Sequence, residues 1–557
     1  MEINVREYGI VPGDDPGLTG KLRYLLEKYR GEKGVCFHFP AGTYHFYPDY
    51  AKEILLYIPN HDEDGLKRIA FDLTGYRGLT IQGDGACFMF HADILPFLIR
   101  ECEDVRMEGI MVDYARPGYS QGRILSVEGK AMEIEIDKEQ FPWYVKGGRV
   151  YFYGGNYCQE LERWMEMDQT KEGPAYGLTD KTFNLKNAGE EASFEQTGNN
   201  RLTVRLGREE GEFEKASKAG NYLILRHHPR NCPAVFIEES RRIQLVRLQV
   251  CHALAMGVIA CRSEDILLEE VEICRHPDKR HIFTAEADGF HFVLCRGYIK
   301  IRKCLCENQL DDAVNIHGIY GRAGEVFEDG SFLVELVHHQ QKGVLLLKAG
   351  ERFRMVRPDT MLPFAYQTAA KVERWNKDYL RVWPEQPIPR LESGHALENL
   401  DWMPEVEIEG CTFRNNRARG VLCTTGKRAV IRQNYFHVPG AALLMEGDAS
   451  GWFESGACGE VIFEENVIDC CAYVPEWGRA PIQLSPGSKA YEGQKAYHAR
   501  LVVENNDFLV TDERLIDGKN LGELIWKNNR VKHADKLPGH PGKAFVLEHV
   551  LKTNREE

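Results

Sequence analysis

The chain has 557 residues, a formal net charge of −14 and 43 % hydrophobic residues. That length fits one long repeat domain with insertions better than a single small core. The acidic balance argues against nucleic acid or an anionic polymer as partner, and no run of eighteen apolar residues offers a transmembrane helix.

Met1-Glu2-Ile3-Asn4-Val5-Arg6 has no apolar signal region, so a cytoplasmic address is expected; a leader removed upstream would instead mean secretion. The 16 Cys fall mostly at repeat positions such as Cys261, Cys274, Cys304, Cys411 and Cys423. Buried thiols in a reducing compartment explain them better than disulfides do. Cys304-x-Cys306 and Cys470-Cys471 lack zinc-ligand spacing, and no metal or cofactor is expected.

Asp14-Asp15-Pro16 precedes Leu18, Leu22, Leu25, Leu26 and Tyr29, which reads as a capped amphipathic helix covering the open end of a solenoid. Phe39 to Tyr44 opens the first coil, and coil-like strands follow at Leu79 to Ile81 and Val105 to Val112. The pattern breaks from about 125 to 230, where Met132 to Ile136 and Leu202 to Leu206 alternate between charged turns.

A repeat then takes over. Ile243 to Val250 recurs at Ile266 to Ile273 and Ile299 to Cys306. Later copies are Val406 to Phe413, Ala429 to Phe436, Val461 to Ile468, Leu501 to Phe508 and Leu524 to Val531. Leu248 to Val271 and Cys411 to Asn434 are steps of 23, whereas Val271 to Cys304 is 33 and carries an insertion. Alternating apolar residues in short runs mean strands, and this period fits one coil of a parallel β-helix. Asn434, Asn466, Asn506 and Asn529 share one template position and are expected to form a hydrogen-bonded ladder; ordinary turn residues are the alternative. A second strand follows in each coil, aligned as Met256-Gly257-Val258, Asp288-Gly289-Phe290, Asp312-Ala313-Val314, Arg419-Gly420-Val421 and Ala441-Ala442-Leu443.

The repeat breaks again from about 319 to 398. Both breaks contain Lys-Ala-Gly before a strand: Lys218-Ala219-Gly220 with Tyr222 to Arg226, and Lys348-Ala349-Gly350 with Phe353 to Arg357. They read as two related small β-barrels inserted between coils. The expected division is therefore cap and first coils over 1–124, barrel over 125–230, catalytic coils over 231–318, second barrel over 319–398 and final coils over 399–557.

Three acids fall at layer spacing. Asp288 and Asp311 are 23 residues apart, and Asp312 is one further on. One period apart in sequence means one layer apart in space, so the three should converge. Most Asp in loops are turn or cap residues, but three at this spacing, beside His291, Asn315 and His317, point to acid–base hydrolysis of a glycoside. Crowded carboxyls split in pKa, so one can hold a proton while another stays ionised. The polar set alternates with Phe290, Phe292, Val314 and Ile316, which places it on the outer face. Glu446 falls under His317 two coils on, in a loop with Asp448 and Trp452 that suits a sugar's hydroxyls and apolar face; a solvated loop is the plain alternative. Arg275 and His276 could reach the cleft, although the charged run Asp278-Lys279-Arg280 favours a solvated turn.

On these residues the chain resembles glycoside hydrolase family 110, the α-1,3-galactosidases. The resemblance is carried by Ala287-Asp288-Gly289-Phe290-His291, by Asp311 to Gly318, and by Glu446-Gly447-Asp448 with Trp452 to Gly456. It implies an all-β, right-handed parallel β-helix with two inserted β-barrels. It also implies removal of terminal α-1,3-linked galactose from blood-group-B-like or linear glycans, with inversion and without metal. Carried over by position, Asp311 resembles the general acid, and Asp288 with Asp312 the pair that activates water. Gly451 departs from the bulkier polar residue the family would place there, which leaves the choice between branched and linear substrates open. The expected partner is a galactose-terminated oligosaccharide or glycoconjugate, not nucleic acid or membrane; a homodimer is compatible with the sequence. The rival readings are a polygalacturonase-like β-helix hydrolase and a non-catalytic glycan-binding β-helix.

Overall fold

The computed structural model describes residues 1–62, 65–155, 157–183, 185, 192–207, 212–539 and 542–556. In Ile243-Gln244-Leu245 the two apolar side chains are shut from solvent and the glutamine between them is partly exposed, as the period-two pattern requires. Each such strand lies in parallel register on the next: Ile243 on Ile266, then Ile299, Val406, Ala429, Val461, Leu501 and Leu524. These are the repeat positions in the alignment given above. A second parallel ladder runs Val258, Phe290, Val314, Val421, Leu443 and Ile482. A third, shorter one joins Val250, Ile273, Cys306, Phe413, Phe436, Ile468, Phe508 and Val531. The inward residues of the three ladders form one continuous core. Each buried Leu, Ile or Phe in it contributes roughly 1.5–3 kcal/mol.

The bend between first and third strand is built the same way in coil after coil. Arg247, Glu270, Lys303, Gly410, Gln433, Glu465, Asn505 and Asn528 all sit at positive φ, one residue before the Asn/Cys position. The ladder compensates for those left-handed corners. Asn434 donates its backbone N–H and its side-chain amide to Oδ1 of Asn466, each at 3.0 Å. Asn466 repeats this to Asn506, and Asn506 to Asn529. The ladder is therefore present, and the turn-residue alternative fails. All 16 cysteines are free thiols, and most are buried.

At the amino-terminal end the helix Leu18–Tyr29 buries Leu18, Leu22, Leu25 and Leu26 over the first coils, and its Leu26 carbonyl accepts a 2.6 Å bond from the Tyr76 hydroxyl. The expected acidic cap is displaced. Gly17 is the N-cap, and Asp15 instead accepts the Gly17 N–H at 2.8 Å and pairs with Lys21 at 2.7 Å. No described helix is long and apolar enough to cross a membrane.

Two antiparallel insertions interrupt the stack. The first has a six-stranded sheet, a three-stranded sheet and a core of its own around Ile134, Trp143, Leu202 and Val204. It opens at Ser120, ahead of the expected 125, because Ser120–Arg123 pair with Tyr222–Leu225, a contact across a hundred residues that no local pattern signals. The second grows directly out of a coil strand. Val314–Val326 starts in parallel register with Val421–Cys423, then turns antiparallel against Ala396–Glu398 and Phe332–Glu335. The shared Lys-Ala-Gly ends in a left-handed glycine in both insertions, Gly220 at φ 96° and Gly350 at φ 85°, which turns the chain into an interior strand each time.

Candidate active site

The three aspartates sit at the starts of adjacent second strands. Phe290 lies on Val314, so Asp288 lies one coil from Asp312, and the Gly289 N–H donates to the Asp312 carbonyl at 3.0 Å. Gly289 is required here: a Cβ would stand 2.7 Å from Cys306 Sγ and 2.8 Å from the Ala313 carbonyl oxygen. One side-chain oxygen from each of Asp288, Asp311 and Asp312 lies within 4.8 Å of the others. Asp288 and Asp312 are 4 % and 3 % exposed.

Three guanidinium groups supply countercharge. Arg230 lies 2.6 Å from Asp311 Oδ2, Arg417 lies 2.8 Å from Asp311 Oδ1, and Arg419 lies 3.4 Å from Asp312 Oδ1. The Arg419 backbone N–H also donates to Asp312 Oδ1 at 2.9 Å. These contacts divide the trio. Burial alone would raise Asp311, but Arg417, Arg230 and Arg419 outweigh it and hold the carboxyl well below the usual range. Burial, reinforced by the charge of Asp311 and opposed by Arg230, pushes Asp288 up to about 8. Burial likewise lifts Asp312 to about 7, with Arg419 opposing and the neighbouring acids adding. Asp311 is therefore the anion of the resting site, and Asp288 carries a proton. The acid role expected for Asp311 runs against this resting charge, because no linear pattern announces that two arginines close on it.

Hydrogen bonding agrees for Asp288 once both neighbouring imidazoles are neutral. His317 Nδ1 lies 2.7 Å from the Gly318 carbonyl, His317 Nε2 lies 2.9 Å from His291 Nε2, and His291 Nδ1 lies 2.5 Å from Asp288 Oδ2. A carbonyl only accepts, so His317 carries its proton on Nδ1 and accepts at Nε2. Burial lowers both imidazoles, His291 to about 4, and keeps them neutral. His291 must then donate from Nε2 and accept at Nδ1, which leaves Asp288 as the donor.

The cleft has a volume of about 120 Å³ and is lined by the trio with His291, Asn315, Glu446 and Trp452, as the sequence suggested. Glu446 is pushed up to about 7 by burial, with Glu454 and Asp448 adding and Arg419 opposing. Trp452 is 53 % exposed, and its indole packs beside His338 with ring centroids 4.6 Å apart. His317, expected to bind substrate, is a correction: it does not line the cleft but lies behind His291, with the two Nε2 atoms 2.9 Å apart. Asp448 does not line the cleft. It accepts from Ser450, Gly451 and Trp452 backbone N–H groups at 2.6–2.8 Å and so fixes the Trp452 loop. Gly451 fits this arrangement, because a Cβ there would come within 2.9 Å of Asp448 Oδ2.

Arg275 and His276 are corrections. Neither lines the cleft: Arg275 faces Glu307 at 4.0 Å, and His276 Nδ1 accepts the Asp278 N–H at 3.1 Å within its own turn. In the charged run beside them Asp278 and Arg280 are exposed, as expected, but Lys279 turns inward to the buried Asp113 at 2.5 Å and the Tyr114 carbonyl at 3.1 Å.

Sequence reasoning missed Asn60, Arg230, Gln340, Arg419 and Glu454, which line the cleft, and Arg417, which clamps Asp311 from beside it. Arg419 was within reach, since it occupies the column of Asp288 and Asp312 in the second-strand alignment. Asn60, Arg230 and Gln340 come from irregular segments outside the repeat, where periodicity gives no signal.

Comparison with known proteins bears on the identity of this assembly. Residues 120–223 match the family model described as GLAA-B beta-barrel domain I, and residues 331–394 match GLAA-B beta-barrel domain II. The chain is 29 % identical over 547 residues to alpha-1,3-galactosidase B of Akkermansia muciniphila, covering 98 % of this chain and 68 % of that one. It is 30 % identical over 585 residues to alpha-1,3-galactosidase B of Phocaeicola vulgatus, covering 100 % of this chain and 94 % of the relative. A solved family 28 exopolygalacturonase of Yersinia enterocolitica aligns with a TM-score of 0.40 at 10 % identity, over 99 % of this chain and 78 % of that one, too distant to bear on function. With identity sustained from end to end and both inserted domains matched, the chain belongs to the α-1,3-galactosidase family.

Proposed function

We propose that this protein is an exo-acting glycoside hydrolase that removes terminal α-1,3-linked galactose, from blood-group-B-like or linear Galα1-3Gal glycans, with inversion at the anomeric carbon. The observation that carries the reading is one tight acid cluster, an oxygen of each aspartate within 4.8 Å of the others, whose unequal surroundings divide it: two arginines clamp Asp311 and keep it ionised, whereas burial raises Asp288 and Asp312. Hydrolysis of a glycoside needs that division: a proton for the leaving oxygen and a carboxylate to take a proton from water. The scaffold is read as a right-handed parallel β-helix, in keeping with the usual hand of parallel crossovers.

Attack by water is favoured over a covalent intermediate by the contacts of Asp311. Arg417 stays on Asp311 Oδ1 throughout and holds its charge down, which weakens this carboxylate as a nucleophile. Asp288 holds a proton and is a poor nucleophile, and Asp312, at about 7, is divided between its two forms near neutral pH. The nearest oxygens, within 4.8 Å, are closer than the roughly 6.5–9.5 Å between carboxyls common in inverting sites, so the water lies beside the cluster. In the proposed sequence the sugar's hydroxyls draw Arg230 away from Asp311. Asp311 then takes the proton of Asp288 or Asp312 and passes it to the glycosidic oxygen as that bond breaks. The carboxylate left behind takes a proton from the water that bonds to the anomeric carbon.

Incubation with Galα1-3Gal, followed by NMR, tests this reading. β-Galactose should appear first. First release of α-galactose means retention, and no release from any α-galactoside removes the reading.

A further inference from the structure

A second cavity lies next to the acid cleft, on the far side of Arg230. Arg230, which clamps the Asp311 carboxylate, is held from behind by Asp62, which accepts the Arg230 backbone N–H at 3.0 Å and the Gln340 side-chain amide at 2.6 Å. Asp62 and Pro229 also border this second cavity, of about 670 Å³, between the coils and the first insertion. It is more than five times the size of the acid cleft and lies in the range of approximately 300–1,000 Å³ typical of small-molecule sites.

Its walls are polar and balanced in charge. The three-stranded sheet contributes Arg149, whose guanidinium meets both Glu160 oxygens at 3.0 and 3.1 Å, and Glu162 follows on the exposed rim. Arg163 and Arg226 line it as well, and both are countered by Asp180, at 3.5 and 2.8 Å. A wall of paired charges presents donors and acceptors without net attraction for an anion, which suits the hydroxyls of a neutral sugar. Among the described residues, His227 Nδ1, Arg226 Nε and Gln159 Oε1, all on residues that line this cavity, are shut from solvent without a hydrogen-bond partner. These three atoms lie behind the wall, so the groups that a ligand could meet are the rim charges of Arg149, Glu160 and Glu162.

We propose that this cavity is an aglycone-side subsite, built by the first insertion, that holds the neutral sugar residues on the reducing side of the bond cleaved at the aspartate trio. It rests on the galactoside-cleaving reading of the trio. It gives the insertion a role in recognition and makes Asp62 the joint between the two chambers.

The test compares the trisaccharide Galα1-3Galβ1-4GlcNAc with p-nitrophenyl α-galactoside, whose aglycone is too short to fill the cavity. Arg149→Ala should lower the ratio of kcat/KM for trisaccharide over aryl galactoside about tenfold, through KM. Glu162→Trp, which fills the cavity from its exposed rim without touching a core, should do the same. An unchanged ratio in both variants overturns the subsite. If the wild type cleaves neither compound, the reading of the reaction fails by itself, and the cavity is then judged by N-acetyllactosamine binding in ligand-observed NMR. Binding that Arg149→Ala abolishes upholds the subsite; no binding overturns it.

Discussion

Asp288 Oδ2 and His291 Nδ1 are 2.5 Å apart, and with His291 and His317 neutral the proton between them belongs to the aspartate. The chain of acceptors that starts at the Gly318 carbonyl and runs through His317 to His291 leaves no other arrangement for neutral imidazoles. The active centre thus stores a proton in a fixed place before substrate arrives. His291→Phe removes the acceptor and should lower kcat by about a hundredfold, with little change in KM. Steady-state kinetics on Galα1-3Gal checks this; an unchanged kcat makes the relay a packing feature only.

Asp311→Asn keeps the size of the side chain but ends its ability to take and give a proton. Galactose release should fall by at least about a thousandfold while binding of the disaccharide, followed by calorimetry, persists. Substantial turnover in this variant would remove Asp311 from proton delivery.

The raised acids make both rate and stability depend on pH. Asp288, at about 8 in the fold, binds its proton more tightly than it does unfolded. The folded state therefore loses stability as pH rises from the unfolded value toward 8, and that loss is complete above it. Asp288→Asn, still able to donate to His291, should raise the melting temperature at pH 8.5 and change it little at pH 4. The expected gain at pH 8.5 is several kcal/mol, at about 1.4 kcal/mol for each unit by which the fold raises this carboxyl. Wild-type activity should fall between about pH 7 and 8, as Asp312 and then Asp288 lose their protons. A melting-temperature gain that is equal at both pH values would contradict the assignment.

Asn466 satisfies two donors of Asn434 and donates to the Ile431 carbonyl at 2.9 Å, all in the core. Asn466→Ala leaves those groups unpaired and should cost about 2–4 kcal/mol. Urea denaturation measures it. Turnover at 25 °C should be preserved, because none of the ladder asparagines lines the cleft.

Trp452 offers an exposed ring at the mouth of the cleft. Trp452→Ala should raise KM about tenfold, with kcat affected far less, since the ring covers an apolar sugar face without reaching the reacting atoms. A fall confined to kcat would place the ring in a different role.

The repeat was legible to the residue because a coil strand needs only a local signal. Ile243, Ile266 and Ile299 align in sequence and stack in space for one reason: inward side chains recur at every coil. The same logic placed Glu446 under His317 and Asp312 beside Asp288. It failed at Arg275 and His276, which share a turn with the site in sequence but face a different neighbour. It also missed the left-handed corners, because only Gly410 marks one with glycine, whereas Arg247, Glu270, Lys303, Gln433 and Glu465 occupy others.

Sequence alone determined the coil, its register and the meeting of three aspartates, because periodic burial is written in nearest-neighbour pattern and composition. Only the tertiary structure decided which of those aspartates is charged. That outcome depends on Arg230, Arg417 and the His291–His317 pair, brought together from distant or aperiodic positions, and a carboxyl's proton answers to charge and burial in space.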